Sequence, residues 1–159
     1  MQTFLPYYSF KKVAECLDNK RLNKQIVEAC QILNALKKID NQGRVIEKCI
    51  KTPAWVHHPA VLMWIGHEPA LIFYIKECVE EWEKRYNKRR NINIKLDVIS
   101  FSKPKWLTKK LIISHRSNLV RKSEFYKQYN WNVDVGMPYY WPFKWCRKKN
   151  SIIFIFANS

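Results

Sequence analysis

The sequence predicts an all-α fold: a single compact helical domain with an extended N-terminal arm and a C-terminal extension. Two long segments, Asp18 to about Lys38 and Pro69 to about Arg85, repeat apolar residues at helical rather than alternating spacing. Only three glycines and a hydrophobic fraction of 47% in 159 residues describe a chain that buries a real core. With no internal repeat or low-complexity tract, residues 1–142 are expected as one helical domain and residues 143–159 as an extension.

Residues 1–8 carry Pro6 and three aromatic side chains and read as an ordered, extended arm. A short helix follows from Ser9 to Leu17, and Asp18 is placed to cap the next one, whose Leu22, Ile26, Ala29, Cys30, Leu33 and Leu36 make an apolar stripe. Asp40 to Gly43 is a turn, with a short helix expected through Cys49, and Thr52 to His58 is loop. Pro59 opens a helical turn through Trp64, and Pro69 starts the second long helix, which buries Leu71, Ile72, Ile75, Cys78, Val79 and Trp82. Lys84 to Arg90 is a basic helix end or loop, and residues 91–104 are a short strand or an extended link. Further helical pieces cover Lys105–Lys110, Ser114–Lys122 and Ser123–Tyr129, with Ser114 and Ser123 as N-caps. The tail SIIFIFANS has strand propensity but no obvious partner, and docking as an extended arm is expected.

Twenty-nine Lys and Arg against thirteen Asp and Glu give a net charge of +16, which calls for an acidic partner. The charge is spread through helical segments and interleaved with seven Trp and eight Tyr, a pattern that suits nucleic acid. A membrane surface fits less well, because no long amphipathic basic helix or polybasic tail stands out. Five cysteines without CxxC spacing suggest free thiols in a reducing, intracellular compartment: cytoplasm, nucleus or a viral compartment. No secretory leader and no membrane-length apolar run is recognised, and a monomer is expected.

Two regions concentrate chemistry-bearing residues. SHRSNLVRK at Ser114–Lys122, read as a helix, sets His115, Asn118 and Lys122 along one side with Arg121 and Ser117 on the flank, and PYYWP at Pro138–Pro142 follows with rings for stacking. The predicted second helix sets Arg21, Lys24, Gln25 and Glu28 on one polar face, where solvation is the commoner outcome. His57, His58 and His67 lack a matching ligand set, so no metal or other cofactor is expected; His58 orients a loop or contacts a phosphate, and His67 caps a helix.

RLNKQIVEA at Arg21–Ala29, HPAVLMWIGHEPAL at His58–Leu71, SHRSNLVRK and PYYWP together resemble the pyrimidine dimer DNA glycosylase family, in the bacterial-type branch of the endonuclease V-like excision proteins. The resemblance covers about residues 1–142. It implies an all-helical, metal-free DNA repair enzyme that removes a damaged pyrimidine, such as a UV dimer, from duplex DNA and then cleaves the strand at the abasic site. In phage-type members the nucleophile is the N-terminal α-amine, which attacks sugar C1′ and forms a Schiff base, and a glutamate on an early helix supports the sugar chemistry. An α-amine, with an ordinary pKa of about 7.7–8.0, keeps a useful neutral fraction at physiological pH, whereas an ordinary lysine at about 10.4 does not.

The carry-over assigns the amine to Met1, since Gln2 is too large for methionine removal to be expected, with Lys24 as the alternative nucleophile. The expected carboxylate falls at Lys24-Gln25, where glutamine cannot transfer a proton, and Glu28, one turn along, takes the role. Arg21, His58, His115, Arg116, Asn118, Arg121, Lys122, Tyr139, Tyr140 and Trp141 form the expected DNA contacts. Two other readings stay open: a non-catalytic binder of damaged or structured nucleic acid, and a glycosylase for another modified base.

Overall fold

The computed structural model describes residues 1–47 and 51–155. Its helices are α1 (Phe10–Cys16), α2 (Asn19–Leu36), α3 (Pro59–Leu62), α4 (Glu68–Tyr86), α5 (Lys109–Lys122) and a 3₁₀ helix, Glu124–Tyr129. Two short strands follow, β1 (Phe143–Cys146) and β2 (Ser151–Phe154), so the architecture is mostly helical but not all-α.

Local chemistry sets the helix starts. Ser9 accepts from the Lys12 amide and Asp18 from the Arg21 amide, each satisfying an otherwise unpaired N–H of the first turn. Asp18 also ties α2 to the 3₁₀ helix by accepting from the Tyr126 hydroxyl at 2.6 Å. Burial alone would raise the Asp18 carboxyl, but the Tyr126 hydroxyl and the Arg21 amide and guanidinium outweigh it and hold it below the ordinary range. At the other end of α1, the Arg85 guanidinium donates to the Ala14, Glu15 and Leu17 carbonyls, adding to the Leu17 N–H that Ala14 O already accepts.

α2 packs on α4 and α1 packs on α4. Leu22, Ile26, Ala29 and Ile32 meet a core that includes Leu71, Tyr74, Ile75 and Cys78. The arm is threaded into this core rather than laid upon it, with Gln2, Thr3, Phe4 and Leu5 all buried. Its backbone is held by side chains: Phe4 N–H donates to Gln25 Oε1 at 2.8 Å, and Leu5 N–H to His115 Nδ1 at 2.9 Å. Thr3 Oγ1 accepts the buried Trp64 indole N–H at 3.0 Å.

Four expectations are corrected. The tail does not dock as a lone arm: β2 pairs antiparallel with β1, Phe143 opposite Phe154, across a turn in which Asn150 has φ 46°. Residues 44–47 are not helical, because Val45 bridges Ile39; residues 48–50 of that expected helix lie outside the described residues. Lys105–Lys110 and Ser114–Lys122 are replaced by one helix capped by Thr108, while residues 91–104 take the second of their two expected forms, an extended link. His67 occupies the N-cap position of α4 but makes no side-chain cap bond.

The hairpin is anchored at Gly43 (φ 78°), where an added Cβ would stand 2.9 Å from Ile152 Cγ1. Next to it, His57 stacks flat on Trp145 with ring centroids 3.9 Å apart, and its Nε2 lies 2.8 Å from Gly43 O.

His115 is fully buried under the arm. Its Nδ1 accepts from Leu5, so the neutral ring carries its proton on Nε2, which faces Gln2 Nε2 at 3.1 Å; turning the Gln2 amide over brings its otherwise unpartnered oxygen to accept that proton. Burial pushes the ring down to about 3. An unfolded histidine titrates near 6.5, so below that pH the unfolded chain binds a proton the folded chain refuses. This contribution is fully present above about pH 6.5 and is lost progressively as pH falls toward 3, on the order of a few kcal/mol. Urea midpoints between pH 7 and 4 are expected to fall less steeply in His115→Gln than in the parent; equal slopes would remove His115 as the cause.

Candidate active site

The polar face of α2 does not stand in bulk solvent. Arg21, Lys24, Gln25 and Glu28 line a pocket of about 470 Å³, closed on other sides by Met1, Phe4, His58, Lys122, Tyr139 and Trp141. Lys20, one turn before Lys24, joins the rim; its i, i+4 spacing was the available signal for it. The arm delivers the chain's first amine here because residues 2–5 are pinned on both sides by α2 and α5.

Glu28 is the carboxylate of this pocket, and its residue is 9% exposed. One oxygen faces the Met1 ammonium at 3.8 Å and Lys24 Nζ at 3.7 Å, while the other accepts the Gln2 N–H at 3.1 Å. A buried charge needs such partners, and here two are cations and one is a fixed backbone donor. Gln25, one turn earlier, is 1% exposed. Its Oε1 is occupied by the Phe4 amide and the Tyr74 hydroxyl, each at 2.8 Å, so Gln25 positions the arm that carries the amine.

His58 caps α3, accepting the Ala60 N–H at Nδ1, which leaves the proton on Nε2. Burial first, and the N-terminal ammonium second, hold its ring below the ordinary range, so it stays neutral near neutral pH. Its edge meets the face of Trp141 at 5.4 Å, and Trp141 stacks with Tyr139 at 5.5 Å. The two rings form an apolar wall opposite the charged face of α2, and burial raises the Tyr139 phenol.

Arg21 is held in the wall by Asp18 at 2.7 Å and by the Lys122 carbonyl at 3.1 Å, which joins the start of α2 to the end of α5. The remaining residues of SHRSNLVRK go elsewhere. His115 and Asn118 are 0% exposed and face the interior, where a phosphate does not reach them. Asn118 donates to Ser114 O and accepts from Arg121. The Arg116 guanidinium donates to Pro6 O at 2.8 Å and lies over the Tyr7 and Trp131 rings. Arg121 also donates to Met137 O, and both it and Lys122 are exposed, but only Lys122 lines the pocket. Tyr140 points into a different cavity from its neighbours. Ser114, expected as a cap, instead bonds Pro138 O and Tyr140 N at 2.9 Å each, fixing PYYWP to α5.

Residues 1–94 match the model of the pyrimidine dimer DNA glycosylase family. The chain belongs to this family. No curated protein and no solved structure matches it significantly. The family is one of DNA repair, and the matched span contains the arm, the polar face of α2 and His58. Lys122, Tyr139 and Trp141, which complete the pocket, come from beyond the matched residues.

Lys122→Ala is expected to weaken DNA binding alike on all sequences and to lower the slope of log K against log salt by about one, as loss of one phosphate contact does. Titrations at several salt concentrations measure it, and an unchanged slope would make Lys122 purely structural.

Proposed function

We propose that the protein removes the damaged base from pyrimidine-dimer DNA and cuts the strand at the abasic site, with the Met1 α-amine as nucleophile and Glu28 as proton carrier. The observation that carries this reading is the amine 3.8 Å from a nearly buried carboxylate, in a pocket rimmed by cations and walled by two stacked rings.

The lesion must leave the base stack for its C1′ to enter such a pocket; damage lowers that cost, and Tyr139 and Trp141 offer faces for the displaced base. Lys20, Lys24 and Lys122 suit the flanking phosphates. The neutral amine donates its lone pair to C1′, and the C1′–N bond breaks with its electron pair leaving on the base, which takes up a proton. Loss of a proton from nitrogen and protonation of O4′ open the sugar to an iminium. Glu28 then accepts a proton from C2′, the electron pair forms the C2′–C3′ double bond, and the 3′ phosphate leaves with the C3′–O pair. Water releases the amine.

Lys24 is the second reading, favoured by its own 3.7 Å approach to Glu28, although its side chain is 64% exposed and an α-amine is the better neutral nucleophile at physiological pH. Incubation with dimer-containing duplex in borohydride tests the proposal. A covalent adduct is expected, with the DNA on the N-terminal peptide by mass spectrometry. Salt-sensitive binding without adduct or cleavage would replace the enzyme with a binder of damaged DNA.

A further inference from the structure

The PYYWP segment is a wall with two sides. Tyr139 and Trp141 line the candidate active site, whereas Tyr140 between them lines a second pocket, of about 680 Å³. Such alternation is natural for an extended run held between two prolines, and Ser114 fixes it by accepting the Tyr140 N–H.

The second pocket has a distinct chemistry. Trp106, Tyr140, Phe143 and Phe154 give it aromatic surfaces, and the exposed Lys103, Lys105 and Lys110 surround them. No aspartate or glutamate is among its lining residues. Lys110 Nζ already lies 4.5 Å from the centre of the Tyr140 ring. Trp106 is 4% exposed, and its indole N–H has no hydrogen-bond partner among the described residues. Aromatic faces ringed by cations match a flat heterocycle joined to phosphate; a lipid tail would have no use for a ring-stacking wall.

We propose that this pocket binds an unpaired nucleotide of the bound nucleic acid, its base among Trp106, Tyr140 and Phe154 and its phosphates on Lys103, Lys105 and Lys110. Of its lining residues only His67 falls within the family-matched span, and Phe143 and Phe154 come from the C-terminal hairpin. The hairpin thereby gains a function. The proposal rests on DNA being the substrate but not on the imine chemistry.

The test follows the indole N–H resonance of Trp106 in the ¹⁵N-labelled full chain, assigned by its absence from Trp106→Phe. Hexathymidylate is expected to shift it at concentrations where a blunt undamaged duplex does not. Lys103→Ala/Lys105→Ala, two exposed changes, is expected to raise the midpoint by roughly tenfold or more at low salt. Lys12→Ala, a change at an exposed lysine that lines neither pocket, should leave it within about twofold. An unmoved resonance, an equal response to blunt duplex, or an unchanged midpoint in the double variant would overturn the proposal. Borohydride trapping with no indole shift sinks the pocket alone; an indole shift with no trapping sinks the imine mechanism alone.

Discussion

Glu28→Gln is expected to lower strand cleavage by about 10²–10⁴-fold while DNA binding stays within a few-fold. The substitution keeps the size of the side chain and leaves an amide oxygen to accept the Gln2 N–H, so the arm retains its anchor. It removes the one carboxylate lining the pocket among the described residues and with it the proposed acceptor for the C2′ proton. It also leaves the Met1 and Lys24 nitrogens facing an uncharged group. Binding separates the catalytic loss from misfolding: removing a negative charge beside a phosphate site cannot by itself weaken attraction to DNA. A large loss of affinity together with a lower urea midpoint would indicate a displaced arm. Normal cleavage by a well-folded variant would take Glu28 out of the chemistry.

The same carboxylate shows what the sequence makes legible. Helical spacing alone puts Arg21, Lys24, Gln25 and Glu28 on one face, and the structure keeps them together. Spacing does not say what covers that face. The arm does, and in doing so it consumes Gln25, whose oxygen is taken by Phe4 and Tyr74. The same blindness acts on α5. A wheel drawn through SHRSNLVRK cannot tell an outward stripe from an inward one when both carry polar residues, and His115 and Asn118 fall inside because the arm lands on that side. The Asp18 cap was readable from its place before the apolar stripe; Ser9 was read as the first residue of α1 rather than its cap, and Thr108 was missed because the segment before it mimics a separate helical piece. The hairpin lay hidden for a related reason. Phe143–Cys146 follows the aromatic motif without a break, and its partner strand gains meaning only once the pair is in register.

Blocking the Met1 amine is expected to abolish the borohydride-trapped adduct and the strand cleavage together, leaving DNA binding within a few-fold. An N-acetylated chain is the suitable form, since acetylation removes nucleophilicity and charge in one step and adds only a small group at the pocket's edge. The geometry makes the prediction sharp, because two amines share one carboxylate oxygen. Met1 N is 3.8 Å and Lys24 Nζ 3.7 Å from Glu28 Oε1, so proximity does not choose between them. Position does. The Met1 amine sits on an arm fixed by Gln2, Phe4 and Leu5, whereas Lys24 ends a flexible stem whose side chain is 64% exposed. Holding the attacking atom in place is worth several kcal/mol of barrier, which a mobile lysine forgoes. Lys24→Arg, which keeps the charge opposite Glu28 but supplies no usable amine, is therefore expected to trap nearly as well as the parent. An adduct that survives acetylation and disappears in Lys24→Arg would move the nucleophile to Lys24 and reduce the arm to a scaffold.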